Sequence, residues 1–198
     1  MEALERVTLP EGVSVIESAA FSSSSRLEDV ALPASLTRIE GYAFHGCTGL
    51  ALSALPENVA EIGDCAFYGC SNLALTALPD GVAKIGGSTF HSCTNMPLKS
   101  LPAELAEIGD YAFYGCQNIA FTEFPVGLKS IGRGAFRYGY GLTRLTFRGT
   151  PESIASDAFV NCPNLTDLYV PWAEGEVDGA PWAATAATIH YNCRSEGD

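Results

Sequence analysis

The stretch Ile108-Gly-Asp-Tyr-Ala-Phe-Tyr-Gly-Cys116 is one copy of a pattern that recurs along most of this chain. In seven copies, an isoleucine stands five residues before a phenylalanine. The phenylalanines follow one another at intervals of 23 residues: Phe21, Phe44, Phe67, Phe90, Phe113, Phe136 and Phe159. No helix or strand has a period of that length, so the sequence predicts stacked copies of one supersecondary unit.

Two further columns of the repeat support this interpretation. A proline lies eleven residues before the phenylalanine in six copies, and Arg148 replaces it in the seventh. A cysteine lies three residues after the phenylalanine in five copies, with Ser24 and Gly139 as the exceptions. No insertion or deletion interrupts the register from Leu4 to Val170. Each unit of 23 residues is therefore expected to form one turn of a coil.

The predicted fold is a repeat solenoid of about seven turns, rich in β-structure and short turns or single-turn helices. One turn has too few apolar side chains to close a core, but stacked turns bury them as continuous columns. The runs Leu142–Phe147 and Leu165–Val170 are typical of strands. Equivalent strands should pair in a parallel ladder, about 4.8 Å apart. We expect the isoleucines from Ile39 to Ile131 and the phenylalanines from Phe44 to Phe136 to be buried.

The unit L-x-x-V-x-L-P-x-x-V-x-x-I-x-x-x-A-F-x-x-C resembles the BspA-like, or Treponema-type, bacterial leucine-rich repeat. This resemblance covers about residues 4–170. It implies a leucine-rich repeat solenoid from a bacterial surface or secreted protein that binds host or microbial partners. Residues 1–170 would form the repeat domain and residues 171–198 a C-terminal capping segment. We expect Trp172 and Trp182 of that segment to cover the apolar edge of the seventh turn.

The middle copies depart from the apolar pattern of the family. Where the second copy has Leu27, Val30 and Leu32, the third copy has its leucines at other positions and a serine in place of the valine. The shifted apolar positions are Leu52, Leu75, Leu98 and Phe121. One interpretation is a second buried column with a local bulge. The other is an exposed apolar stripe, which would make these four residues a secondary candidate for partner binding.

Composition restricts the classes of partner. The formal net charge of −12 and the pI near 4.5 disfavour binding to nucleic acid or to an anionic membrane. No run of 18 apolar residues is present, so we expect no membrane insertion. At 198 residues and 47% hydrophobic content, the chain is large enough to bury a core. We expect a monomer without a cofactor.

The first residues, Met-Glu-Ala-Leu, contain neither a basic segment nor an apolar segment of the kind found in signal peptides. We therefore expect the chain to be an excised piece, or the mature end, of a longer secreted or cell-surface protein. An intact cytoplasmic protein is the alternative.

The spacing of the cysteines indicates a role in packing rather than in metal binding or disulfide formation. Four of them, Cys47, Cys70, Cys93 and Cys116, are 23 residues apart, which matches no metal-ligand spacing. In a coil they would stack with parallel Cβ directions, and a disulfide needs a dihedral angle near 90°. We expect them to be small buried apolar residues. A bridge between Cys162 and Cys193 remains an open alternative.

No catalytic constellation appears in the sequence. His45 and His91 occupy the repeat position that Tyr68 and Tyr114 occupy in other copies, which favours a scaffold or surface role. The chain contains no G-x-S-x-G elbow, no H-E-x-x-H pair and no phosphate loop. We therefore predict that the protein is not an enzyme and holds no catalytic metal.

Charged residues precede the isoleucine in four consecutive copies and alternate in sign: Arg38, Glu61, Lys84 and Glu107. Lateral pairing in a parallel ladder would set opposite charges side by side. Exposed pairs of this kind contribute at most about 1 kcal/mol, so we assign them to register and solubility.

The basic residues concentrate in one part of this acidic chain. Between Phe124 and Pro151 there are five basic residues and no acidic one. The candidate partner-binding residues are Arg137, Tyr138, Tyr140, Arg144 and Arg148, because arginine and tyrosine are enriched in interface hot spots. The partner would be an acidic protein or glycan. The alternative is a diverged repeat whose basic residues point to different sides of the coil.

Two functions of different class follow from these patterns. The first is a recognition or adhesion module on a bacterial surface or a phage particle, which binds protein or glycan. The second is a structural spacer without a ligand of its own. A recognition module should have a surface patch where the repeats diverge from the common pattern to fit the partner. A spacer should have uniform repeats.

Overall fold

The computed structural model describes residues 4–193, which wind into a parallel-strand solenoid of about eight turns. Successive turns repeat at intervals of about 23 residues, and residues 4–193 contain no helix. The strands are β1 (Arg6–Thr8), β2 (Val15–Ile16), β3 (Asp29–Ala31), β4 (Arg38–Ile39), β5 (Glu61–Ile62), β6 (Lys84–Ile85), β7 (Glu107–Ile108), β8 (Glu123–Phe124), β9 (Ser130–Ile131), β10 (Arg144–Phe147), β11 (Ser153–Ile154), β12 (Asp167–Tyr169) and β13 (Thr188–His190). The predicted solenoid and its parallel ladder are confirmed.

The repeated isoleucines build the longer ladder. Seven strands pair in the order β2-β4-β5-β6-β7-β9-β11, all parallel. Ile62 lies opposite Ile85, which in turn lies opposite Ile108, so that the pairing offset equals the repeat length. The isoleucine of each strand points into the core and the residue before it points outward, as the alternation of a strand requires.

A second ladder follows a different side of the coil and is interrupted. Strands β1 and β3 pair at one end, and β8, β10, β12 and β13 pair at the other. Residues 50–55, 73–78 and 96–101 of the third to fifth copies form no strand between them. Their backbone still bonds from turn to turn, since the Ala74 N–H donates to the Leu52 carbonyl at 3.0 Å.

The exposed-stripe interpretation of the middle copies is wrong. Leu52 is 9% exposed, and Leu75, Leu98 and Phe121 are at most 1% exposed. Because the apolar positions shift together with the irregular backbone, these side chains still point into the core. They form the buried column of the other interpretation, so these four side chains are not available for a partner to contact.

The phenylalanine column is the centre of the core. Consecutive rings from Phe21 to Phe159 lie 5.2–5.6 Å apart between centroids and are inclined by only 7–14°. The rings from Phe44 onward are fully buried, and the isoleucines from Ile39 to Ile131 are at most 5% exposed. The prediction of two continuous buried columns is confirmed.

The buried cysteines are free thiols that bond to the backbone. The Cys93 Sγ donates to the Phe67 carbonyl at 3.1 Å, and its counterparts repeat this contact at 3.0–3.1 Å. Burial raises the pKa of Cys47 and of Cys162 to about 11. These thiols are therefore protonated at neutral pH and are poor nucleophiles. Cys162 and Cys193 are both free, so the bridge that the sequence left open is not formed.

The four alternating charged residues have three neighbouring pairs along the ladder, and two of these pairs form ion pairs. Arg38 reaches Glu61 at 3.7 Å, and Lys84 reaches Glu107 at 2.8 Å. No ion pair joins Glu61 to Lys84 within the described part of the chain. All four side chains are largely exposed, so each pair contributes at most about 1 kcal/mol.

The tail continues the coil. Strand β13 pairs with β12, where Ile189 lies opposite Leu168. Trp182 stands 23 residues after Phe159 and is fully buried. Its backbone carbonyl accepts a hydrogen bond from the Phe159 N–H at 3.0 Å. The Trp172 ring lies 5.2 Å from Phe147. The two tryptophans thus cover the last turn. A separate capping segment at residues 171–198 stays a proposal, and residues 194–198 lie outside the described residues, as do residues 1–3.

Candidate binding surface

A row of stacked rings runs along the outside of the turns that carry the phenylalanines. We call His45, Tyr68, His91 and Tyr114 the aromatic ladder. Successive rings lie 4.9, 4.4 and 4.4 Å apart and are inclined by 9–13°. All four side chains are half-buried. The sequence predicted a scaffold or surface role for this repeat position and did not predict a row of stacked rings. The one signal for such a row in the sequence is the alternation of histidine and tyrosine at intervals of 23 residues.

The local turn explains why each ladder ring points outward while the phenylalanine before it points inward. In six of the seven copies two residues have left-handed backbone, one two positions before and one two positions after the phenylalanine, and the seventh copy has only the second of them, Asn161. Such residues strain any side chain with a Cβ, which favours glycine. Gly46, Gly69 and Gly115 fill the second position with φ near 72°. Tyr138 fills the same position in its copy with φ of 63°.

The ladder changes geometry at this copy. The Tyr138 ring meets Tyr114 edge-on at 5.3 Å and an angle of 84°. Tyr140 in turn meets Tyr138 edge-on at 6.3 Å and is 40% exposed. The guanidinium of Arg137 lies 5.9 Å from the Tyr114 ring centroid and 5.2 Å from that of Tyr138. The row of parallel rings therefore ends in a cation held against two tyrosines.

Arg137 is one of three described arginines, with Arg6 and Arg144, that form no ion pair. Among residues 4–193, no carboxylate lies within ion-pair distance of its guanidinium. Its Nη2 donates to the Tyr138 hydroxyl at 3.4 Å, and its buried Nε has no partner. This contact raises the pKa of Arg137 and lowers the pKa of Tyr138. The side chain is held in place but its charge is not neutralised.

The structure brings together three of the five candidate residues. Arg137, Tyr138 and Tyr140 form one group at the end of the ladder. Arg144 lies on β10, with its guanidinium 5.4 Å from the Tyr169 ring. Arg148 follows β10 and pairs with Glu123, with Nε 3.0 Å from Oε2. Residues 137–140 belong to the phenylalanine turn and residues 144–148 to the second ladder, so the coil separates them.

Arg144 belongs to a second polar group at the end of the second ladder. Tyr169 stacks on His190 at 4.4 Å, and His190 Nε2 lies 2.9 Å from Asp167 Oδ1. The Thr166 hydroxyl donates to the other carboxylate oxygen at 2.9 Å. The bonds from His190 and Thr166 lower the pKa of Asp167. This group is internally satisfied, which makes it a weaker candidate than the ladder end.

We expect His91 to be neutral in the folded protein. Burial between two tyrosines lowers its pKa from the ordinary value near 6.5. The contribution of neutral His91 to the free energy of unfolding is then complete above about pH 6.5, and it is lost as the pH falls towards the lowered pKa. Urea unfolding between pH 5 and pH 8 should show this loss, and His91→Phe, which keeps a ring without a titrating group, should reduce it. An NMR titration that gives His91 a pKa above about 6.5 would contradict the expectation.

The comparisons with known proteins agree with the repeat and the fold. A family model for BspA type leucine rich repeat regions matches six copies, over residues 1–97 and 60–176. The chain belongs to this family. The resemblance seen in the sequence is thereby confirmed. None of the curated proteins matches the chain.

Three solved structures place this BspA-type chain among bacterial repeat proteins. The leucine rich repeat protein of T. pallidum is 33% identical with a TM-score of 0.71, and the match covers 82% of this chain and 78% of that chain. A leucine rich cell surface protein of Faecalibacterium prausnitzii is 27% identical with a TM-score of 0.55, covering 97% and 61%. A leucine-rich repeat protein of Bacteroides ovatus is 24% identical with a TM-score of 0.58, covering 94% and 60%, and shares the fold. The chain spans about three fifths of the latter two proteins.

Within residues 4–193 there is no helix that is long and apolar enough to cross a membrane. The same residues contain no group of three or more histidine, cysteine or acidic side chains that could hold a metal ion.

Proposed function

We propose that this chain is a non-enzymatic recognition module of a bacterial surface or secreted protein, which binds a protein or glycan. Its binding surface is the aromatic ladder together with Arg137, Tyr138 and Tyr140. The observation that carries the proposal is the row of half-buried rings that ends in a cation without a carboxylate partner. The cell-surface description of the F. prausnitzii relative supports the location.

The ladder has the physical properties of a recognition surface. Tyrosine and arginine offer large contact areas with polar tips, which is why they dominate interface hot spots. Ring stacking holds these side chains in place before a ligand arrives, so that little conformational entropy is lost on binding. The rings carry hydroxyl groups and ring nitrogens of the kind that bond to ligands, and His91 Nδ1 already bonds to the Ser92 hydroxyl at 2.9 Å.

Tyr138 is central to the proposed surface, because its ring meets both Tyr114 and Arg137. Its left-handed backbone costs a residue other than glycine about 1–2 kcal/mol. This backbone is a feature of the repeat and not of the site, because Ser23, Ser92 and Asn161 have it at the same position in other copies.

The test compares Tyr138→Gly with the unchanged protein on arrays of immobilised polysaccharides and proteins. We expect Tyr138→Gly to leave the free energy of unfolding within about 1 kcal/mol, because glycine relieves the strain but gains freedom in the unfolded chain. Binding to the ligand that the array identifies should fall about tenfold or more, since a central ring is removed.

Ser23→Gly is the matched control. Ser23 occupies the same turn position in the first copy, with φ of 62°, and that copy contributes no ring to the ladder. It should keep full binding. If the array finds no ligand, or if Tyr138→Gly binds as tightly as the control, the chain is better described as a structural spacer.

A further inference from the structure

We infer that Arg137, Tyr138 and Tyr140 form a subsite for the carboxylate-bearing sugar of an acidic polysaccharide. The inference rests on the proposed function and names its ligand class. It starts from the way the arginines of residues 4–193 are paired. Arg26, Arg38, Arg133 and Arg148 each pair with a carboxylate of this chain. Arg6, Arg137 and Arg144 form no such pair within these residues, and of these three it is Arg137 that lies against two aromatic rings.

The Arg137 guanidinium is prepared for an external anion. Its planar group presents several parallel donors that match the two oxygens of a carboxylate. The contacts to Tyr114 and Tyr138 fix its position without neutralising its charge. The nearby carboxylate of Asp157 acts on Arg137 through its charge but forms no direct ion pair with it, and its Oδ1 accepts the Gly134 N–H at 3.2 Å. An incoming carboxylate would therefore supply the direct ion pair that the guanidinium lacks.

The aromatic groups at this end of the ladder fit the ring of a sugar. The C–H groups on one side of a pyranose form an apolar, weakly positive face that packs on the negative face of an aromatic ring. Inside the ladder, ring faces are occupied by neighbouring rings. Tyr140 meets Tyr138 edge-on and is 40% exposed, so its ring is accessible at this end.

The backbone disfavours an acidic peptide as the ligand. Peptides that bind as added strands need unpaired N–H and carbonyl groups. Along the ladder these groups bond to the next turn: the Gly69 N–H donates to the His91 carbonyl, and the Gly115 N–H to that of Arg137, at 2.7 and 2.8 Å. The rings of the ladder, whose centroids are 4.4–4.9 Å apart, carry hydroxyl groups and ring nitrogens, which suit a ligand rich in hydroxyl groups.

Titration calorimetry with defined polymers tests the inference. The acidic probes are oligomers of galacturonate, alginate and polysialic acid. Fully methyl-esterified oligogalacturonate keeps the sugar without the charge, and polyglutamate keeps the charge without the sugar. We expect at least one acidic polysaccharide to bind and both comparison polymers to bind at least about tenfold more weakly, since a hydrogen-bonded ion pair or a ring contact is lost.

Variants of the arginines locate the subsite. Arg137→Gln should weaken binding of the acidic polysaccharide about tenfold or more, and Arg137→Lys should restore only part of it because the planar group is lost. Arg133→Gln is the matched control: Arg133 lies in the same copy, but Asp110 already holds it at 3.1 Å. Its removal should leave the affinity unchanged.

Three outcomes would overturn the inference: no binding of any acidic polysaccharide, equal binding of polyglutamate, or equal effects of the Arg133 and Arg137 variants. Each is distinguishable from failure of the proposed function. The arrays could still identify a protein or neutral glycan whose binding depends on Tyr138, in which case the recognition function stands and only the ligand class is wrong.

Discussion

Replacement of Phe90 by alanine is expected to lower the free energy of unfolding by about 3–5 kcal/mol, the range for a fully buried aromatic ring. Phe90 lies in the middle of the stacked column, 5.6 Å from Phe67 and 5.4 Å from Phe113. Its removal leaves a cavity that the neighbouring turns cannot close, because both are fixed by backbone bonds to the turns beyond them. Urea denaturation followed by circular dichroism measures the loss.

Phe21→Ala is the control for this experiment. Phe21 occupies the same repeat position but is only partly buried and stacks on a single ring, that of Phe44. We expect a clearly smaller loss there. If both variants lose the same stability, or if Phe90→Ala loses less than about 1 kcal/mol, the column does not carry the core in the way described.

Replacement of Trp182 by alanine is expected to have an effect of similar size, about 3–5 kcal/mol, concentrated at the C-terminal end. Trp182 is fully buried, lies 6.3 Å from the rings of Phe147 and Trp172, and donates its Nε1 hydrogen to the Asp178 carbonyl at 2.8 Å. Its loss exposes the apolar edge of the last turn, and terminal turns of repeat arrays depend on such covers.

Hydrogen exchange measures where this effect falls. In the variant, the amides of β12 and β13 should exchange faster, while those of β5 and β6 should change little, because each turn contacts only its neighbours. Trp182→Phe keeps most of the buried area and loses only the Asp178 bond, so its effect should be smaller. Uniform acceleration along the whole chain would contradict a local capping role. In the unchanged protein, we expect faster exchange around Leu4–Leu9 than in the tail.

The sequence by itself was sufficient for the architecture of this protein. A strict period of 23 residues means that each residue has its counterpart in the next turn as a neighbour, so the buried isoleucine, phenylalanine and cysteine columns follow without coordinates. The family resemblance rests on the same columns. The basic residues between Phe124 and Pro151 also stood out from the sequence, because their neighbours carry no acidic residue.

Only the tertiary structure decided how these residues are distributed around the coil. A period identifies which residues are stacked, but it does not identify the side of the turn on which each column lies. That choice depends on the backbone path: left-handed residues direct Tyr114 and Arg137 outward, and the irregular third to fifth copies direct Leu52 and its counterparts inward. The same path separates Arg144 and Arg148 from Arg137, and leaves Arg137 without a carboxylate partner in residues 4–193. The binding surface is therefore a property of the folded turn, because the period alone does not show which columns lie on the same side of the coil.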